Sequence, residues 1–355
     1  MFEQPIPTLR RDGDAIVILD QTALPFRTET ISLRTLSDAA HAIRSMQVRG
    51  APLIGATAAH GVALALVSSG AEDANLKHAL EVLGSTRPTA VNLHWALARM
   101  ARVLHPLTPA ARAQAAWAEA EAIRADDTAS CDAIGRHGLA LIAAIAARRP
   151  GPVRVMTHCN AGWLATCGAG TALAPIYAAQ AAGIAVEVFV SETRPRNQGL
   201  LTTWELHAAG VAHTLIADNA AGLLLMRAEV DMVITGADRV AANGDTANKI
   251  GTYLKALAAR AAKLPFYIAA PHSTLEFSCA DGASIPIENR DAEEVRVIRG
   301  MNADGDVVDV RLVPTATRAL NPAFDITPAS LITGIITERG IAPAAGLAGL
   351  YAEAV

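Results

Sequence analysis

The chain has 355 residues, of which 52% are hydrophobic and only 4% aromatic, and this length is ample for two domains with a large buried core. The formal net charge of -4 excludes the broad basic surface that nucleic-acid binding requires. Any small anionic ligand must therefore be held by a few local groups.

The N-terminal part is predicted to be mostly helical with a small β element. Residues 15–20 form an apolar, β-branched run typical of a strand, and residues 36–46 have the spacing of a helix that Ser37 would cap. Pro52 lies where proline commonly opens a helix. The alanine-rich block 110–149 predicts one or two long helices.

After a Pro-Gly-Pro segment the pattern changes to short apolar runs that alternate with helical ones. The predicted strands are 154–157, 185–190, 212–216, 232–235 and 266–270, with helices between them. Such alternation is typical of a parallel, Rossmann-like sheet. We therefore predict an α/β fold, with a mostly helical domain at 1–149 and a Rossmann-like catalytic domain at 150–355.

One uncharged stretch, residues 161–186, is long enough to span a membrane as a helix. Several glycines and a proline interrupt it, however, and the rest is mostly alanine, which inserts weakly. The N-terminus lacks the apolar segment of a secretory signal, and the cysteines show no paired CxxC spacing. These features predict a cytoplasmic protein with reduced thiols and no membrane partner.

Two loops that follow predicted strands carry residues suited to acid–base catalysis. Cys159 follows strand 154–157 and precedes a glycine-rich turn, while Asp238 follows strand 232–235. In open α/β sheets, ligands bind beyond the carboxyl ends of the strands. Nearby backbone N–H groups predict a lowered pKa for the Cys159 thiol, which would make it a base or nucleophile. Partial burial predicts a raised pKa for Asp238, which suits a general acid.

Structural roles compete with these interpretations. Cysteine is more commonly a small buried apolar residue, and a loop aspartate often caps a turn, as expected for Asp245. Arg239 would counteract burial by stabilising the Asp238 carboxylate. His158 is expected to pack rather than to bind zinc, because no second pair with ligand spacing exists, and no metal is predicted.

Phosphate binding requires converging donors. Three segments offer them: Arg49-Gly50-Ala51, Arg87, and Asn248-Lys249 at the beginning of a helix predicted to run through 253–262. A glycine at the start of a helix lets a phosphate approach the backbone N–H groups. Taken alone, each charged residue is more commonly solvated or salt-bridged, and no Walker-type loop is present.

Six motifs together resemble one known family along nearly the whole chain. They are VRGAPLIGA (48–56), STRPTAVNL (85–93), HCNAG (158–162), ETRPRNQG (192–199), TGADRVAANGDTANKIGT (235–252) and NPAFDITP (321–328). On these motifs the chain is identified as a member of the methylthioribose-1-phosphate isomerases, relatives of the regulatory subunits of translation initiation factor 2B. Asn197 departs from the leucine that relatives often carry, which bears on how Gln198 is presented.

The resemblance implies isomerisation of 5-methylthioribose 1-phosphate to 5-methylthioribulose 1-phosphate in methionine salvage, by a homodimer that needs no cofactor. It implies Cys159 and Asp238 as the catalytic pair. The family's substrate-binding residues map onto Arg49, Gly50, Ala51, Arg87, Gln198, Asn248 and Lys249.

Other functions stay open at this point. Ribose 1,5-bisphosphate or 5-deoxyribose 1-phosphate would be an alternative substrate; extra basic residues would favour the bisphosphate, and an apolar wall would disfavour it. A non-catalytic regulatory subunit is the other alternative, although such a subunit has no need of the catalytic pair. Whether a proton or a hydride moves between C2 and C1 also stays open.

Overall fold

The protein is described by a computed structural model covering residues 4–87 and 90–351. Residues 88–89 of the STRPTAVNL motif and 1–3 of the N-terminus lie outside the described residues. The chain begins with a three-stranded antiparallel sheet in the order β1-β2-β3. Its strands are β1 (Leu9–Asp12), β2 (Ala15–Leu19) and β3 (Thr30–Leu33). The predicted strand at 15–20 is therefore confirmed as β2.

Five helices follow and bury the first hydrophobic core. They are α1 (Leu36–Arg44), α2 (Ala51–Ser69), α3 (Asp73–Gly84), α4 (Val91–Leu104) and α5 (Pro109–Ala146). The predicted opening of α2 by Pro52 is confirmed, and the alanine-rich block forms one continuous helix. The predicted cap of α1 was wrong, because Thr35 and Asp38 form a capping box one turn apart and Ser37 lies inside the helix.

A seven-stranded sheet occupies the second half of the chain. Its strands are β4 (Val153–Thr157), β5 (Val186–Ser191), β6 (Ala212–Ile216), β7 (Met232–Thr235), β10 (Phe266–Ala269), β15 (Gly334–Thr337) and β16 (Gly340–Ala342). All neighbours pair in parallel except β15 and β16. The connecting helices are α6 (Ala174–Ala181), α7 (Gly199–Ala208), α8 (Ala220–Met226) and α9 (Thr252–Ala261). The predicted parallel sheet with intervening helices is confirmed.

The strand order creates a crevice at the centre of this sheet. The order is β16-β15-β10-β7-β4-β5-β6, so the chain runs outward from β4 through β5 to β6 and then returns to the other side of β4 as β7. Such a reversal is a topological switch point, where the connections leave in opposite directions and open a space beyond the carboxyl ends of the strands.

A second, smaller sheet was not predicted. It has the order β11-β8-β9-β14 and contains β8 (Arg239–Ala241), β9 (Thr246–Lys249), β11 (Leu275–Glu276) and β14 (Phe324–Thr327). A short helix α10 (Glu293–Arg296) leads into a hairpin of β12 (Val297–Met301) and β13 (Val307–Arg311). Because β8 begins directly after Asp238, this sheet forms one wall of the crevice.

The division at 149/150 stays a prediction, and we propose it as the boundary between two structural units. The first core lies within residues 9–123, and the others centre on the seven-stranded sheet. Helix α5 bridges them, because Ile134 and Ile142 in its second half pack into the core of the sheet.

Two of the described helices are long and apolar enough to cross a membrane by length and composition. In α2 the apolar window is 78% buried inside the protein, and in α5 it is 33% buried. Burial in the first core accounts for the apolar character of α2. The uncharged stretch 161–186 is divided between loops, a short turn of helix and α6.

Candidate active site

Cys159 lies in the loop after β4 in a backbone conformation that is uncommon for a residue with a side chain. Its φ is 63°, in the left-handed region. Its N–H donates to Thr193 Oγ1 at 2.8 Å, and its carbonyl accepts from Thr202 Oγ1 at 2.8 Å. Two threonines from the neighbouring β5–α7 segment therefore hold this conformation.

Asp238 comes from the other side of the switch point, after β7. Its backbone N–H donates to the carbonyl of Ala247 at 2.9 Å, which ties it to β9. Cys159 and Asp238 both line two adjoining cavities in the crevice. The larger cavity is also lined by Arg87 and Lys249, and the narrower cavity by Asn248. Every other predicted site residue lines one of these cavities or both: Arg49, Gly50, Ala51, Arg87, Gln198, Asn248 and Lys249. The structure thus brings the whole predicted set together.

Arg49 and the start of α2 form the floor shared by both cavities. The Arg49 guanidinium donates to Asn160, with Nη1 bonded to Oδ1 and Nη2 bonded to the backbone carbonyl at 2.6 Å. Gly50 has a φ of 91°, and a Cβ there would collide with Ala165. Within the described residues no side chain caps the N-terminus of α2, and its first residues, Ala51 and Pro52, line the narrower cavity, where an uncapped helix start favours an anion.

The sequence predicted Asn248 and Lys249 at the start of a helix, and this prediction was wrong. Both residues lie on β9, because this segment pairs with β8 and β14. The Asn248 side-chain amide donates to Thr252 Oγ1 at 2.9 Å. Lys249 is only 6% exposed, and its Nζ lies 4.5 Å from the centre of the Phe324 ring. Burial lowers the pKa of Lys249, while the nearby Cys159 and Asp238 raise it.

The remaining cations around the larger cavity have carboxylate partners. Arg87 pairs with Glu288 at 3.5 Å, and Arg290 pairs with Glu294 at 3.0 Å. Arg239 pairs with Glu276 at 3.0 Å. Sequence analysis missed Arg290, since no motif surrounds it, and it missed the wall-forming role of Phe324.

One wall of the larger cavity is apolar. It consists of Met46, Ile54, Ala90, Ile285, Pro286 and Phe324. Gln198 lines the cavity with a side chain that is 7% exposed, and its Oε1 has no hydrogen-bond partner among the described residues. The cavity therefore combines a cationic floor, an apolar wall and an unsatisfied acceptor.

The predicted lowering of the Cys159 pKa was wrong. Burial raises the pKa of the thiol, and Asp238 raises it further, whereas Arg49 and Lys249 lower it. The sequence argument counted the backbone donors of the loop but could not anticipate how deeply the cavity would be enclosed. Burial therefore favours the thiol form of Cys159 over the thiolate.

The predicted raising of the Asp238 pKa agrees with the structure. Burial raises the pKa of this carboxyl and outweighs the opposing effects of Lys249, Arg87 and Arg49. Arg239 pairs with Glu276 at 3.0 Å. The burial of Asp238 favours its protonated form, which is the form that a general acid needs.

We expect alkylation of Cys159 by iodoacetamide to have a midpoint above pH 8.5 or so, the ordinary value for a thiol, because only the thiolate reacts. Lys249→Met should move that midpoint upward, since the Lys249 charge lowers the pKa of Cys159. Mass spectrometry of the Cys159 peptide across pH measures both. Lys77→Met, which removes an exposed charge, should leave the midpoint unchanged. A wild-type midpoint below that of an ordinary thiol would contradict this electrostatic balance.

His158 packs in the interior, as expected from the sequence. It is fully buried, with Nε2 2.8 Å from the carbonyl of Ile250. Trp163 lies in the core of the sheet and lines neither cavity. The Asp245 carboxylate accepts from the N–H groups of Gly282 and Ala329, as expected for a turn residue.

Known proteins match the chain over nearly its whole length. The sequence model of the Initiation factor 2 subunit family matches residues 47–344. A methylthioribose-1-phosphate isomerase from Dechloromonas aromatica (strain RCB) is 59% identical over 353 residues, which cover 98% of this chain and 97% of that protein. The chain belongs to the methylthioribose-1-phosphate isomerase family. This membership confirms the predicted resemblance.

Solved structures agree with the family and the α/β fold. The crystal structure of 5-methylthioribose 1-phosphate isomerase from Pyrococcus horikoshii OT3 has a TM-score of 0.84 and 35% identity, covering 99% of this chain and 97% of that one. The structure of the translation initiation factor eIF-2B subunit delta from A. fulgidus has a TM-score of 0.80 and 34% identity, covering 97% of both chains. The isomerase family therefore shares its architecture with translation factor subunits.

Proposed function

We propose that this protein isomerises 5-methylthioribose 1-phosphate to 5-methylthioribulose 1-phosphate, a step of methionine salvage. The observation that carries the proposal is the meeting of Cys159 and Asp238 at the switch point, on the walls of the same two cavities. Relatives that bear this enzyme's name match the chain from end to end and support the substrate.

The distribution of paired and unpaired cations supports a phosphate site on the floor. Within residues 4–87 and 90–351, neither Arg49 nor Lys249 forms an ion pair with a carboxylate, although both are largely buried. A buried cation without a counter-charge is costly, and a phosphate dianion would supply that charge. The open N-terminus of α2 adds backbone donors at the same place.

The apolar wall of the larger cavity suits a thioether better than a second phosphate. Its wall presents Met46, Ile285 and Phe324, which are apolar and polarizable. Arg87 and Arg290 are close, but Glu288 and Glu294 already neutralise them. A second phosphate would have to displace these carboxylates, whereas a methylthio group would not, so ribose 1,5-bisphosphate is disfavoured.

The reaction is chemically demanding because the anomeric oxygen is esterified to phosphate, which blocks opening to a free aldehyde. In the proposed route Asp238 protonates the ring oxygen as the C1–O bond breaks, and the Cys159 thiolate removes the C2 proton. The product of these steps is an enol phosphate. The Asp238 carboxylate then takes the C2 hydroxyl proton while Cys159 returns its proton to C1, which yields the ketose and restores both groups.

The rival route moves a hydride directly from C2 to C1 while Asp238 relays the hydroxyl proton. The two routes differ in what they require of Cys159, because proton removal needs the thiolate and the hydride shift does not. The raised pKa of Cys159 therefore opposes the first route and has no effect on the second. An enclosed cavity assists either route, since donors aimed at developing charge act more strongly without competing water.

A non-catalytic regulatory subunit is the alternative from another functional class. The similarity to the eIF-2B subunit delta from A. fulgidus is the observation that favours this alternative. A purely binding protein has no reason to bury a thiol and a proton-retaining carboxyl on one cavity. We therefore place the chain with the isomerases.

We also propose that the enzyme is a cytoplasmic homodimer, with neither nucleic acid nor membrane as a partner. Large apolar side chains are exposed on adjoining helices: Leu223 and Met226 on α8, and Leu254 and Leu257 on α9. Exposed apolar patches commonly mark protein interfaces. We propose that a second copy of the chain buries this patch in the dimer interface.

A substrate panel without added metal tests the proposal. We expect ketose formation from methylthioribose 1-phosphate and, because 5-deoxyribose 1-phosphate is also apolar at C5, measurable turnover of that compound. Ribose 1,5-bisphosphate should show a kcat/KM at least about tenfold lower, the scale of one lost or opposed charge-assisted contact. Preferred turnover of the bisphosphate would replace the proposed substrate, and inactivity on all three would reject the proposed function.

A further inference from the structure

We propose that Glu205, a buried residue of α7 outside both cavities, is a positioning residue that orients Arg49 and the Cys159 loop for the reaction. The inference rests on the proposed function for its role in turnover. Its physical content, however, concerns how the protein presents Arg49 to an anion, and that can be measured without turnover.

Glu205 is fully buried and surrounded by donors. Its carboxylate accepts from Asn160 Nδ2 at 2.8 Å, from the N–H groups of Trp163 and Leu164 at 2.8 and 2.9 Å, and from the Tyr177 hydroxyl at 3.1 Å. A Cβ on Gly162 would collide with the carboxylate, so the glycine of the HCNAG motif permits this approach. Three residues of the loop after Cys159, namely Asn160, Trp163 and Leu164, are thus held by one side chain.

The bond to Asn160 determines which way that amide faces. Because Nδ2 donates to Glu205, the Oδ1 atom must face the other way, and there it accepts from Arg49 Nη1. The backbone carbonyl of Asn160 accepts from Nη2 at 2.6 Å. A reversed amide would place an NH₂ group against the guanidinium, so Glu205 indirectly fixes the direction in which Arg49 points.

The same face of α7 also reaches Cys159. Thr202 lies one turn before Glu205, and its hydroxyl donates to the Cys159 carbonyl at 2.8 Å. Asn160 Nδ2 lies 3.2 Å from the same hydroxyl oxygen. One helix therefore holds both the peptide that carries the thiol and the side chain that holds the cation.

The electrostatics agree with this arrangement. Within the described residues no lysine or arginine pairs directly with Glu205, and its charge favours the protonated form of Arg49 through the intervening amide. Burial raises the pKa of Glu205 to about 7, while the bonds from Asn160, Leu164 and Trp163 lower it. All four hydrogen bonds to the carboxylate come from donors, an arrangement that favours the ionised form.

The test is a double-mutant cycle between Glu205→Gln and Arg49→Ala, read by calorimetry with inorganic phosphate and by kcat/KM with methylthioribose 1-phosphate. Glutamine keeps the shape but presents an NH₂ group to one donor. We expect Glu205→Gln alone to weaken phosphate binding and lower kcat/KM by about tenfold each, the scale of one lost charge-assisted bond. Once Arg49 is removed, Glu205→Gln should cause less than a threefold further loss of phosphate binding.

Asp127→Asn is the matched control. Asp127 is a half-buried carboxylate that accepts from the N–H of Cys167 in the same loop at 2.7 Å, and among the described residues no hydrogen bond or ion pair joins it to Arg49. This variant should bind phosphate like the wild type. If Glu205→Gln does not fold, Asn160→Ala breaks the same link, leaves the other three donors on Glu205 and should reproduce the tenfold loss.

Full loss on the Arg49→Ala background, or equal losses in Glu205→Gln and Asp127→Asn, would overturn the positioning role. So would unchanged phosphate binding in both Glu205→Gln and Asn160→Ala. None of these results touches the proposed function, which fails only if the wild type forms no ketose. Conversely, the double-mutant cycle read by phosphate binding tests the positioning role of Glu205 whether or not the wild type turns over this substrate.

Discussion

Asp238→Asn should lower kcat by about 10²–10⁴-fold while substrate still binds, because asparagine keeps the shape of the side chain but cannot deliver a proton. Burial raises the pKa of Asp238, which favours the protonated form that can donate to the ring oxygen. Steady-state kinetics with methylthioribose 1-phosphate, together with calorimetric binding, separates the loss of chemistry from a loss of affinity.

The two catalytic groups together make a prediction about pH. The proposed route needs Asp238 protonated while Cys159 is ionised, so activity should pass through a maximum, with the acid limb at the lower and the alkaline limb at the higher of the two pKa values. The exposed Asp304→Asn serves as the control and should behave like the wild type. Wild-type kcat in Asp238→Asn would remove this residue from the mechanism.

Cys159→Ser should lower turnover by roughly 10²-fold or more, because a serine hydroxyl is far harder to ionise than a thiol. Burial raises the pKa of Cys159 and so favours the thiol over the reactive thiolate. Serine at this position should therefore also remove the contribution of Cys159 to the pH profile.

Cys279→Ser is the matched control for this substitution. Cys279 is half-buried and lies away from both cavities, with its thiol 3.4 Å from the carbonyl of Asp281. It should retain wild-type turnover. A fully active Cys159→Ser enzyme would leave the thiol without a chemical role.

The parallel sheet could be predicted because its inner strands are short, apolar runs that are buried on both faces and separated by helical patterns. The segment 212–216 was predicted with its observed bounds, and 232–235 likewise. Strand order could not be predicted in the same way, because no local pattern says that β7 returns to the side of β4 opposite β5. The switch point that joins Cys159 and Asp238 is therefore a result of the tertiary structure.

The smaller sheet was missed because its strands carry little signal. β8 has three residues and begins with a charged arginine, and β9 contains the polar Asn248 and a lysine. Such residues read as a loop or the start of a helix when taken alone. The strand conformation of β9 depends on pairing with β14, which lies some 75 residues later in the chain, and β8 pairs with β9 and β11.

The site residues themselves came from motif resemblance, whereas their electrostatics depended on the fold. Burial could be anticipated for Asp238, which follows an apolar run, but not for the glycine-rich loop of Cys159. Glu205 gave no signal, because a single glutamate among apolar residues at 199–208 is also what a surface helix would contain. Only the structure shows that this glutamate faces inward.

Turnover of methylthioribose 1-phosphate in heavy water, with the hydrogens at C1 of the ketose followed by NMR, tests the central claim most directly. If Cys159 carries the C2 proton to C1, the thiol exchanges with solvent in part of the turnovers, and the product contains deuterium at C1. Contradiction would come from a product that keeps only the substrate's own C2 hydrogen, found together with wild-type turnover in Cys159→Ser.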